Sequence, residues 1–61
     1  MQKRFAKKLH NRDEVEVKMD GDWIHGYIVG DSTVSRDGKF YWFDIQTQNG
    51  FVSGVSHRDL R

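Results

Sequence analysis

Sixty-one residues allow one domain, and a fold of that length buries only about 60% of its unfolded surface, which argues against a large enclosed active site. With no cysteine there is no disulfide framework and no thiolate metal site, and no apolar run reaches the roughly 18 residues of a membrane helix. The net charge of +1 conceals a division: residues 1–12 carry five bases and no acid, whereas residues 13–61 carry five bases and nine acids, leaving an arm of +5 on a body of −4. Eight aromatic residues set against a mean hydropathy of −0.80 imply a folded chain with a thin core.

The first segment, "MQKRFAKKLHNR", places Phe5 and Leu9 four apart, so a short helix would turn those two toward a core and the lysines toward water. One and a half turns do not hold by themselves. Residues 1–12 therefore read as a basic arm that either docks on its own domain or reaches the phosphates of a partner. In the second case its removal leaves the stability of the body unchanged.

From Asp13 the period becomes two. In "DEVEVKM" Val15, Val17 and Met19 alternate with Glu14, Glu16 and Lys18, the pattern of a half-buried strand. "MDGDW" turns the chain into "WIHGYIVG", where Ile24, Gly26 and Ile28 face inward, Gly26 allowing close approach to a neighbour, and Trp23, His25 and Tyr27 face outward. Residues 31–38 are polar and end in Asp-Gly, which predicts a loop. The third strand, "KFYWFDIQ", sets Tyr41, Phe43 and Ile45 on one face and Phe40, Trp42 and Asp44 on the other. "TQNG" is an Asn-Gly hairpin turn, "FVSGV" a fourth strand, and "SHRDLR" a helical turn capped by Asp59 with a short closing strand that carries Leu60. The expectation is an all-β fold: residues 13–61 as a five-stranded meander closed into a barrel, which removes exposed sheet edges. Its core would be Val15, Val17, Ile24, Ile28, Tyr41, Phe43, Ile45, Val52 and Leu60.

"VEVKMDGDWIHGYIVG", followed by an aromatic strand, an Asn-Gly turn and a terminal "HRDLR", resembles the SH3-like barrels of the Tudor, Agenet and KOW type over residues 13–61. The resemblance implies a binding module, since such barrels take methylated peptides, nucleic acid or other proteins. By the Tudor pattern Trp23 would hold the first position of an aromatic cage, with Tyr27, Tyr41 or Phe43 as further walls, although the alternation accounts for Tyr41 and Phe43 as core. A weaker resemblance, carried by "WIHGYIVG" and the preceding Lys18, is to the type II plasmid dihydrofolate reductases, whose small subunits form a tetramer around one pore. The chain departs from that family's Val-Gln-Ile-Tyr stretch, having "FVSGVS" at the comparable place.

The residues favour a non-catalytic, nucleic-acid-associated regulatory module, the size suiting a bacterium, phage or mobile element. Trp23, Tyr27, Phe40 and Trp42 are the stacking candidates, and Lys3, Arg4, Lys7, Lys8, Arg12, Lys39 and Arg58 the contacts to a DNA or RNA backbone. Trp23, Tyr27 and Trp42 are expected to form one outward surface beside Asp20–Asp22. The alternative is a module that binds, or inhibits, a protein partner. "HRDL" matches the start of a kinase catalytic loop, but the Gly-rich loop, strand Lys and downstream Asn of a kinase are missing. His10, His25 and His57 lack metal-ligand spacing and read as isolated and exposed. No cofactor and no membrane contact is expected, and the chain reads as a cytoplasmic monomer or small homo-oligomer.

Overall fold

Local alternation builds the sheet. In the computed structural model, which describes residues 1–61, β1 (Glu14–Met19) buries Val15 and Val17 and leaves Glu14 and Lys18 in water. Asp20 and Gly21 both take positive φ, 50° and 84°, in the tight turn that follows, a conformation suited to Gly and tolerated by Asp. The chain returns as β2 (Asp22–Val34), with Val17 opposite Ile24 and Val15 opposite Gly26. β3 (Tyr41–Thr47) turns Phe43, Ile45 and Thr47 inward. β4 (Gly50–Ser56) follows the Asn-Gly turn, which Thr47 Oγ1 secures by donating to the Gly50 carbonyl and accepting from the Asn49 N–H. All neighbours are antiparallel, in the order β1-β2-β3-β4. The core consists of Ala6, Val15, Val17, Ile28, Phe43, Ile45, Val55 and Leu60. No helix is long and apolar enough to cross a membrane.

Three expectations about the sheet need correction. It has four strands, not five, and is open rather than a closed barrel. A 3-10 turn (His57–Asp59) consumes the residues that would begin a fifth strand, and only Leu60 forms a bridge, to Val17. Glu16 and Arg61 exchange backbone bonds of 2.7 and 2.9 Å beside that bridge. Ser56, not Asp59, caps the 3-10 turn, its hydroxyl accepting from the Arg58 N–H at 3.2 Å. Finally, β2 continues to Val34 through residues expected to be loop, bending at a register shift between Val29 and Thr33 where Gly30 takes φ 76°. Ile24, Tyr41 and Val52 pack against the core but are only partly buried, because a sheet of this size lacks a second layer to cover its margins.

The arm is docked. A single turn, α1 (Lys3–Ala6), packs against the 3-10 turn, and the Met1 amino group donates to the Leu60 carbonyl. The buried residue is Ala6, at 0% exposure, while Phe5, expected to face inward with Leu9, is 51% exposed. Farther along, Arg12 donates its N–H to the Ile28 carbonyl, and the Asn11 side chain accepts from the Gly30 N–H, fixing the arm to β2. Removing residues 1–9 should therefore lower stability by about 2 kcal/mol, or roughly 10 °C in melting temperature. Thermal circular dichroism on the truncated chain checks this, and an unchanged midpoint would mean the docked arm contributes nothing.

Candidate nucleic-acid interface

The loop between β2 and β3 is organised by its own side chains. Ser35 Oγ accepts from the Phe40 N–H at 3.0 Å and donates to Asp37 Oδ1 at 2.7 Å, and the same carboxylate oxygen accepts from the Lys39 N–H at 3.0 Å. Gly38, at φ 72°, donates to the Ser35 carbonyl and closes the turn. The Lys39 N–H, with the Ser35 hydroxyl second, holds the Asp37 carboxyl below its usual range, so it stays ionised and the loop stays tied.

This loop delivers Phe40 to the start of β3. Residues i and i+2 of an extended chain point the same way, so Phe40 and Trp42 stand side by side, with ring centroids 5.5 Å apart and planes inclined by 20°. Both are half-buried. The 3-10 turn supplies Arg58, whose guanidinium carbon lies 5.8 Å from the Phe40 ring centre, and α1 supplies Lys3, whose ammonium donates to the Gly38 carbonyl at 2.9 Å. Phe40, Trp42, Lys3, Lys39 and Arg58, five of the residues picked out for nucleic acid, thus come from three separate stretches of chain to one end of the molecule. His57, expected to be exposed, is instead 6% exposed under this cluster. Its imidazole accepts the Tyr41 N–H and packs against Phe40 and Tyr41 at centroid distances of 6.0 and 6.3 Å.

The remaining candidates lie elsewhere. Arg4 rests on the neighbouring Phe5 ring, and Lys7, Lys8 and Arg12 are exposed. The three ion pairs of the molecule, His10 with Asp13, His25 with Glu14 and Arg61 with Glu16, involve none of the seven cations expected to meet a phosphate backbone. Trp23 and Tyr27 do not join Trp42. Trp42 stands opposite Thr33, whereas Tyr27 stands opposite Gln46, four residues away along β3 and about 13 Å distant at strand spacing. Trp23 sits another four residues down β2, with the Arg61 guanidinium 4.2 Å from its ring centre. Beside it a shallow concavity is lined by Glu14, Val15, Glu16, His25 and Arg61. The expected single outward surface is thus two: an acidic one around Trp23 and Tyr27, and a basic one around Phe40 and Trp42.

Sequence reasoning missed His57 and the Ser35–Asp37 brace. The brace carries a local signal, a Ser two residues before Asp-Gly. The burial of His57 depends on how the 3-10 turn seats on β3 and has none. No protein-family model, curated protein or solved structure matches this chain.

Proposed function

We propose that the protein is a non-catalytic module that binds single-stranded nucleic acid, DNA or RNA, at the Phe40–Trp42 end. The observation that carries this reading is the stacked pair of rings flanked by three cations, Lys3, Lys39 and Arg58, none of which forms an ion pair. A ring face takes any base, and cations at its margin hold the adjoining phosphates. The acidic surface around Glu14, Glu16, Asp20 and Asp22 repels a polyanion and confines the strand to the other end. In this reading the short path from β4 through the 3-10 turn to Leu60 is the remnant of the closing strand of an SH3-like barrel, a fold family in which such platforms recur.

Trp42→Ala should weaken binding of a labelled oligothymidylate by about 2 kcal/mol, or about thirtyfold, the worth of one stacked base. Fluorescence anisotropy at fixed salt measures it. Arg58→Ala should weaken binding less and flatten the salt dependence by about one phosphate contact. Equal affinity in the wild type and Trp42→Ala would remove the platform from the site.

A further inference from the structure

The geometry points to His57 as the positioning residue of the Phe40–Trp42 platform, which stays assembled only while the His57 imidazole is neutral. The inference rests on the nucleic-acid reading for its functional consequence, but its structural part stands apart from it.

Trp42 pairs with Ser56 across the β3–β4 ladder, so the next position pairs Tyr41 with residue 57. There the chain leaves the ladder for the 3-10 turn, and the main-chain carbonyl that would have received the Tyr41 N–H is gone. The imidazole takes its place: Nδ1 accepts the Tyr41 N–H at 3.3 Å. Tyr41 is the residue between Phe40, held by Ser35, and Trp42, held in the ladder by Thr33 and Ser56, so this bond ties the backbone between the two rings to the 3-10 turn. The same imidazole packs against the Phe40 ring.

A neutral imidazole has one acceptor nitrogen, and a protonated one has none. Protonation sets Nδ1–H against the Tyr41 N–H, and that bond is lost. The charged groups that act on His57 are all cations: the Met1 amino group and Lys3 from the arm, and Arg58 from its own turn. Burial first, and these positive charges after it, hold the imidazole below its ordinary value of 6.5, outweighing a hydrogen bond with the Tyr41 backbone that favours the charged ring. The folded state therefore binds the proton less readily than the unfolded one. The stabilisation is fully present above pH 6.5 and is lost as pH falls below it through the folded value. Sites built on cation–phosphate attraction keep or gain affinity on acidification, because the phosphates stay charged while basic groups can only gain protons. Here the sign is reversed.

The test follows oligothymidylate affinity from pH 7.5 to pH 5 at constant ionic strength, for the wild type and His57→Gln, alongside NMR spectra of the Tyr41 amide and the His57 ring. In the wild type, affinity should fall at least tenfold, with the Tyr41 amide and the Phe40 and Trp42 ring signals shifting along the His57 titration curve while the far-ultraviolet circular dichroism stays constant. His57→Gln, whose side-chain oxygen accepts the same N–H at every pH, should bind with a flat pH profile. Unchanged or rising wild-type affinity at pH 5, a parallel decline in His57→Gln, or global loss of β signal over the same range overturns the proposal. A Tyr41 amide indifferent to the His57 titration overturns it whether or not any strand binds, and needs no variant to fold. Failure to bind oligonucleotide at pH 7.5 with the co-titration intact sinks the nucleic-acid reading and leaves the positioning role supported.

Discussion

Phe43→Ala should leave the chain unfolded at 25 °C. Phe43 heads the fully buried side chains by volume and stands opposite Val55 in the middle of the core. Truncating a buried Phe to Ala costs about 3–5 kcal/mol, through lost transfer energy and the cavity left behind. A chain of this length has only about 3–9 kcal/mol in total, and with no cysteine it has no crosslink in reserve. A random-coil circular dichroism spectrum and collapsed amide dispersion are the expected results. A cooperative melt within a few degrees of the wild type would show that the core closes over the gap.

Gly26→Ala is expected to cost about 3 kcal/mol, the upper end for overpacking a core. A methyl group there would lie 2.7 Å from Ile45 Cγ2, 2.9 Å from the Gln46 carbonyl oxygen and 3.1 Å from Thr47 Cγ2. The side-chain contacts can turn aside, but the carbonyl belongs to the β3 backbone and moves only with the strand. Gly38→Ala makes the contrast: a Cβ there meets nothing within 4 Å, and its cost, about 1 kcal/mol, comes from the positive φ alone. Urea denaturation of both variants separates crowding from backbone conformation. Equal midpoints would mean that β2 yields at Gly26 and that the close approach of β2 and β3 is not under constraint.

The inward position of Gly26 was legible in the sequence because period two fixes it between Ile24 and Ile28, and the same arithmetic sorted Val15 and Val17 from Glu14 and Glu16, and Phe43 and Ile45 from Trp42 and Asp44. Turns announced by Asp-Gly and Asn-Gly were legible for the same local reason. The far half of β2 was not: Thr33 and Val34 are exposed and Ser32 is half-buried, so no apolar alternation marks the strand, which exists because β3 offers it partners. Nor could a sequence tell that Ala6 rather than Phe5 meets the core, since that depends on how α1 seats against the 3-10 turn. The candidate site divides likewise. Side-by-side Phe40 and Trp42 follow from strand parity, whereas bringing Lys3 and Arg58 to them needs contacts across most of the chain.

The bridge from Leu60 to Val17 has a kinetic meaning. The three hairpins of the meander each close over a few residues, but the Glu16–Arg61 pairing spans 45 positions, and drawing such a span together costs roughly 2 kcal/mol more chain entropy than closing a tight turn. Nothing local offsets that cost, so the hairpins form first and the clasp forms last, once β1 is already held by β2. On opening, the order reverses. Residues 60 and 61 release first, α1 loses the turn it rests on, and the four-stranded ladder survives as the slowest part of the molecule to come apart.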